Sequence, residues 1–307
     1  MTSLRAAYEQ FQTRGGIADL SERVEIILTG ADRVRYLNGQ VTSNVTKLAA
    51  GQTQPACVTT AKGRLCAEIL ITAAPDALHI DADPALRATL PARLERYIIA
   101  DDVTLTEITD TRALLHFLGL PPPEIPGASC VPSRRFGRDG WDVRLPAADF
   151  AEKRTALFSD HLRLDTTLLE TLRIEAGLPR WGAELGEDTL PPEAGLDRTH
   201  IDYHKGCYIG QEVISRLKSV GHVNRQLTGF IAADGAPPVA GAAIFSPDSD
   251  RPVGIITSIA FSFALEKLIA LGYLRRASPT SGLRARAAAP TSADVHITAC
   301  PLPFLSS

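Results

Sequence analysis

No apolar run in this chain reaches the roughly 18 residues that a membrane-spanning helix requires, so no membrane role is expected. The first residues, Met1 to Glu9, carry an early acid and no apolar h-region, and do not read as a signal peptide. There is no CxxC pair: the five cysteines are Cys57, Cys66, Cys130, Cys207 and Cys300. So few, and odd in number, they exclude a disulfide framework and point to a reducing compartment, the cytoplasm or, in a eukaryote, the mitochondrial matrix. Walker loop, GxGxxG and GxSxG are all missing, which removes the signatures of P-loop, Rossmann and serine-hydrolase chemistry. No internal repeat is present. A net charge of −3 provides no global basic field, so direct nucleic-acid binding is not expected. What remains is a chain of 307 residues, 45% hydrophobic and 22% charged, the composition of a globular protein with two or three domains.

The periodicities predict a mixed fold. Val24–Leu28 reads as a strand, followed by a short helix from about Ala31. Apolar runs at Ala56–Thr60 and Leu65–Ile71, separated by Ala61-Lys62-Gly63-Arg64, predict a β-hairpin. Leu78–Asp81, Val103–Ile108, Ala113–Leu118 and Trp141–Leu145 predict further strands. Leu86, Leu90, Leu94 and Tyr97 recur at helical spacing after Pro84, and two more helices are expected near 150–158 and 168–176. Strands and helices mix without a strict βαβ rhythm, which favours α+β over a doubly wound sheet. Leu120-Pro121-Pro122-Pro123 opens a segment that cannot be regular and is a candidate linker. From Gly229 onward, short apolar runs alternate with Pro, Gly and Ser clusters, the texture of a small all-β barrel or sandwich. Ala287-Ala288-Ala289-Pro290 is a mild compositional bias. The expected units are 1–118, 119–224 and 225–307, the first two intertwined.

Chemistry concentrates at Lys205-Gly206-Cys207-Tyr208-Ile209-Gly210-Gln211-Glu212. Residues 165–202 hold nine acids against three arginines, whereas 203–225 hold Lys205, Arg216, Lys218 and Arg225 against Glu212 alone. Such a change of sign is either two solvated faces or a local anion site. A helix is expected from about Gly210 to Leu217. A thiol just before a helix N-terminus, flanked by His204 and Lys205, has its thiolate favoured; the alternative is a small cysteine packed in a turn. Gly206 and Gly210 would let backbone approach a ligand. Cys57 and Cys66 lie in apolar strands and read as core. His200, Asp202, His204 and Cys207 have the residue types of a zinc site, but their spacing fits no standard one, and no metal is assigned. Asp101-Asp102 reads as a loop.

The segment Lys205–Glu212 resembles the signature of the YgfZ-like folate-binding proteins, relatives of the glycine-cleavage T-protein, an aminomethyltransferase. Further matches follow in chain order, at Gly30–Asp32 with Tyr36–Val45, at Thr59–Arg64, at Arg173–Pro179, at Leu190–Glu193, and at Arg216 with Gly221. The resemblance spans roughly residues 20–300. It implies a ring of two mixed α+β domains closed by a C-terminal β-barrel, with tetrahydrofolate in a central channel. By position, it implies that Glu175 hydrogen-bonds the pterin, where a carboxylate accepts two N–H bonds at once. Arg173, Gly210, Gln211 and Glu212 fall on the same folate-associated motifs, and Arg216 would suit the folate glutamate tail. Lys205 and Cys207 match the working positions.

The aminomethyltransferases carry an aspartate pair after the hairpin glycines. Here the stretch is Gly63-Arg64-Leu65-Cys66-Ala67-Glu68, with a single acid. This chain also has Gln211-Glu212 where the transferases are basic. Both departures argue against glycine cleavage and for the YgfZ branch; that resemblance implies a reduced-folate-binding protein that supports iron–sulfur assembly or client proteins, with Cys207 as its working thiol. The competing expectations are a folate-dependent aminomethyltransferase and a factor for tRNA modification.

Overall fold

The computed structural model describes residues 3–219, 221–233, 237–287 and 294–305; most of the Ala-rich run, at 288–290, therefore lies outside the described residues. The elements in order are α1 (Leu4–Arg14), β1 (Gly16–Asp19), β2 (Val24–Thr29), α2 (Arg33–Gln40), β3 (Thr53–Thr59), β4 (Leu65–Ala73), β5 (Leu78–Ala82), α3 (Thr89–Glu95), β6 (Thr104–Glu107), β7 (Arg112–Leu118), β8 (Ser129–Arg135), β9 (Arg138–Pro146), α4 (Ala147–Asp160), β10 (Arg163–Leu164), α5 (Thr166–Glu175) and α6 (Gln211–Ser219). The C-terminal strands are β11 (Arg225–Ala232), β12 (Ala243–Phe245), β13 (Pro252–Ser262), β14 (Lys267–Arg275), β15 (Leu283–Arg286) and β16 (Val295–Cys300). This is an α+β fold with a closed C-terminal barrel, as the sequence texture predicted. The sequence reading missed α1, β1, β8, β10, β11 and β15. Helix α1 starts because the Ser3 side chain caps the Ala6 amide, and it buries Tyr8 and Phe11 one turn apart.

Two five-stranded sheets and the barrel carry the chain. The first sheet runs β3-β4-β5-β2-β6 and the second β10-β1-β7-β9-β8; the barrel runs β11-β14-β13-β12-β15-β16. The Pro-rich segment after β7 joins two strands of one sheet, β7 and β8, with β9 between them, rather than two separate sheets. Each sheet has one apolar face. Val24, Ile26, Leu28, Ile69, Ile71 and Ile80 of the first sheet pack on Leu37 of α2 and on Leu90 and Leu94 of α3. Phe117, Val143 and Leu145 of the second sheet pack on Phe150 and Leu157 of α4. The period-2 alternation of a strand sends the intervening residues to the opposite face.

Those opposite faces are charged, and they are buried. Glu25 and Asp81 are register partners on β2 and β5; His116 and Asp142 are partners on β7 and β9. Asp81 is bonded by Arg23 and Arg135, Asp142 by Arg135 at 2.8 Å, and Glu25 by Arg144. Three carboxylates thus meet three guanidiniums, with Arg135 and Arg144 of the second sheet reaching acids of the first. His116 Nδ1 lies 2.8 Å from Asp142, and burial holds this imidazole toward its neutral form. The charges cancel, which is the condition for burying them.

Asp81 has its pKa held down to about 2, from 3.8: burial raises it, and Arg135, then Arg23 and Arg144, outweigh that. Asp142 is lowered further by Arg135 and His116 against the same burial term. Both acids bind protons more weakly folded than unfolded, so their stabilisation is complete above about pH 4 and is lost as pH falls toward 2. Arg135→Leu leaves Asp81 and Asp142 under-compensated. It is expected to lower unfolding stability in urea at pH 7 by about 3–5 kcal/mol and to flatten the acid limb of the stability curve. A variant with wild-type stability at pH 7 would show that the network is dispensable.

Candidate functional site

The loop 200–210 is built on the β3–β4 hairpin and on the segment after α2. Gly63 at the hairpin tip has φ +71°, and a Cβ placed there would lie 3.1 Å from Val213 of α6. Gly210, just before α6, has φ +89°, and its Cβ would fall 2.5 Å from the Thr60 carbonyl oxygen. Only glycine serves at a left-handed position pressed against backbone. The Gly-Gln-Glu of the cysteine motif and the Lys-Gly-Arg of the hairpin are therefore two halves of one contact. Gly210 faces the hairpin, so it does not offer the open backbone approach expected of it. Gly206 does: nothing would touch a Cβ there.

Lys205 fixes the loop from inside. Its side chain is buried, and Nζ donates to the carbonyls of Asn38 at 2.6 Å and of Val41 and Ser43 at 2.7 Å each. The ammonium has three donors and all three are engaged. Burial pulls its pKa down to about 8, which still leaves it mostly protonated at neutral pH. Near Cys207 in sequence, Lys205 turns its side chain inward to those carbonyls. Thr42 adds to the clamp, donating from Oγ1 to the His200 carbonyl at 2.6 Å and accepting from the Cys57 amide at 2.9 Å. Asn38–Ser43, read in the sequence only as a family match, is the cradle of the motif.

Cys207 stands exposed on this loop, between exposed Gly206 and buried Tyr208. Helix α6 begins four residues later, with Gln211 half-buried and Glu212 and Arg216 exposed. Cys57 is fully buried and Cys66 half-buried, and burial pushes both thiols up, Cys57 most. Among the described residues no group of His, Cys, Asp and Glu is arranged to hold a metal ion. His200 points instead to Glu68, Nε2 to Oε1 at 3.2 Å, with Thr199 Oγ1 2.8 Å from Nδ1. Burial pushes the Glu68 carboxyl up, but the His200 hydrogen bond and charge, helped by Arg23, leave its pKa lowered. Glu68 lies on the non-core face of β4, with its side chain 31% exposed. Its period-2 relation to core residues Ala67 and Ile69 is the signal that could have located it.

Arg173 and Glu175 sit apart, on α5 against the barrel. Arg173 donates to Glu170 at 2.9 Å, Glu184 at 3.1 Å, the Leu178 carbonyl at 2.6 Å and Ser258 Oγ at 2.8 Å. With these partners it ties the helix end to β13. The Glu175 carboxylate is buried and accepts from Tyr8 at 3.0 Å and Ser262 at 2.6 Å. Burial outweighs those bonds and raises its pKa. Gly177, with φ +67°, ends α5 with a left-handed turn, and Leu178 N donates back to the Arg173 carbonyl at 3.0 Å.

Residues 225–305 match the model of the glycine cleavage T-protein C-terminal barrel domain. The chain is 28% identical over 305 residues to the aminomethyltransferase of Geobacillus kaustophilus, covering 89% of this chain and 83% of that one. It is 26% identical over 302 residues to the aminomethyltransferase of Rubrobacter xylanophilus, covering 88% and 79%. The crystal structure of the glycine cleavage system aminomethyltransferase T from Bartonella henselae superposes with a TM-score of 0.84 at 20% identity, covering 99% of this chain and 90% of that one. The class is thereby defined: a chain of aminomethyltransferase-like fold. Its C-terminal barrel is of the glycine-cleavage T-protein kind.

Limited iodoacetamide treatment of the native protein, followed by peptide mapping, is expected to label Cys207 well before Cys66, and Cys57 last. Thiolate access sets the order, and a rate difference of at least ~10-fold between Cys207 and Cys57 is expected from burial alone. Equal rates would place Cys207 inside the structure.

Proposed function

We propose that this chain is a reduced-folate-binding protein that presents Cys207 as a working thiol to iron–sulfur assembly or client proteins. The observation that carries this reading is the loop itself. An exposed cysteine is fixed in place by a buried lysine with three carbonyl partners and by a glycine pressed on the hairpin. A packed structural cysteine would need no such mounting around an open sulfur. The YgfZ-like signature supports the same reading.

For folate, the donor set fits in part. Glu175 is the acceptor matched to the pterin edge. Tyr8 and Ser262 each give it one hydroxyl hydrogen, so binding there exchanges hydroxyl donors for the two N–H groups of an aminopyrimidine. Tetrahydrofolate, when bound, supplies nitrogens able to carry a one-carbon unit. Arg216, exposed on α6, is the remaining cation for the glutamate tail.

The second reading, one-carbon transfer from an amine, rests on Glu68. With its lowered pKa and its His200 partner it is the carboxylate nearest in sequence to the transferases' aspartate pair. Its register differs: Cys66 and Ala67 follow Leu65, and Glu68 comes two residues after Cys66. Whole-length similarity to aminomethyltransferases favours this alternative, and the motif Lys205–Glu212 favours the first.

Calorimetry with tetrahydrofolate is expected to show saturable binding, weakened about tenfold by Glu175→Ala, the scale of one charged hydrogen bond less the hydroxyl contacts that it replaces. No heat with any reduced folate sinks the reading. Cys207→Ser is expected to fold normally and to lose complementation in cells lacking the protein, with no methylene-tetrahydrofolate formed from an aminomethylated carrier by the wild type. Full complementation by the serine variant, or measurable transfer, decides for the second reading.

A further inference from the structure

Beside the ion network, a cavity of about 420 Å³ is bounded by Glu25, His79, Arg112, Arg144 and the turn at 127–129. It is separate in its lining from the Cys207 loop and from Glu175. That volume is in the range of small-molecule sites, which begin near 300 Å³.

Its wall carries polar side chains that are incompletely satisfied. Seven buried side-chain nitrogen or oxygen atoms among the described residues have no hydrogen-bond partner, and three of them, Glu25 Oε2, His79 Nδ1 and Arg144 Nη2, belong to residues lining this one cavity. Glu25 is 3% exposed and Arg144 4%. Arg144 engages Glu25 through Nε, while its Nη2 stands 3.6 Å from Asp81 and 3.9 Å from Asp142, beyond hydrogen-bonding distance. A buried polar atom is costly to leave without a partner, and three such atoms gather at this one opening.

The charges specify what complements it. The three network acids are balanced by Arg23, Arg135 and Arg144. Arg112 adds a positive charge with no hydrogen bond or ion pair among the described residues. His79 adds none: burial, with Arg144 and Arg112 near, lowers its pKa to about 4. The wall therefore offers donors to an anion from Arg112 and Arg144. On the same wall Glu25 Oε2 is an acceptor that requires a donor.

We propose that this cavity binds a small carboxylate bearing an adjacent hydrogen-bond donor, an amino acid or hydroxy acid, with its carboxylate on Arg112 and Arg144 and its ammonium or hydroxyl on Glu25. Titration of the full chain, followed by calorimetry and ligand-observed NMR, uses serine, glycine, lactate, acetate and inorganic phosphate as probes. Serine or glycine or lactate is expected to bind saturably, with acetate and phosphate at least ~10-fold weaker. Arg112→Ala, at a partly exposed position with no ion pair, is expected to weaken the bound probe at least ~10-fold, the effect of one charged bidentate contact. Glu25→Gln separates the sources: it impairs serine and glycine if the ammonium is read, and spares lactate if a hydroxyl is. Acetate or phosphate binding as tightly as the others overturns the proposal, as does binding unmoved by Arg112→Ala, or no saturable binding by any probe.

Discussion

Two sheets whose inner faces both carry charge cannot pack unless those charges cancel in place. Here Arg135 does the cancelling, bonded at once to Asp81 of one sheet and Asp142 of the other. Everything else is arranged around that constraint. The apolar faces, freed from facing each other, are covered by α2 and α3 on one side and α4 on the other. The space between the sheets is thereby polar, which is what a site for polar ligands needs and what an ordinary sandwich core cannot supply. Such a buried network adds little net stability over an apolar core of the same volume.

The Cys207 loop solves a different problem, that of holding a thiol outward on a segment with no regular structure. Backbone amides and carbonyls in a loop must find partners. The Lys205 ammonium supplies donors for three carbonyls that secondary structure leaves over, at Asn38, Val41 and Ser43. Gly210 allows the hairpin to press on the start of α6 without a Cβ between them. The lysine of the motif is thus an organiser, and its closeness to Cys207 in sequence is a consequence of the loop's turn inward and then outward.

Much of this was legible in the residues. Period-2 and period-3.6 patterns located most strands, the helices α2 to α6 and the barrel texture, because those patterns report one apolar face per element. The polar faces went unread for the same reason. Glu25, His79, Asp81, His116, Asp142 and Arg144 fall at alternate positions in apolar strands, where alternation normally signals solvent. Nothing local distinguishes a charged residue facing water from one facing the opposite charge of another sheet; that depends on which sheets meet. The partners of Arg173 went unread likewise, since Ser258 is distant in the chain.

The same limit bears on the acid chemistry. A carboxylate in this fold has two fates, and burial alone does not choose between them. Glu175 is buried, burial outweighs its donors, and its proton is held more tightly than in water. Glu68 and Asp81 are flanked by cationic or ring partners, and theirs is released more readily. Amine activation requires an ionised acceptor in reach of solvent-borne substrate, and Asp81 is closed off beneath arginines. Of these three, Glu68 combines ionisation with exposure, yet His200 already takes one of its oxygens.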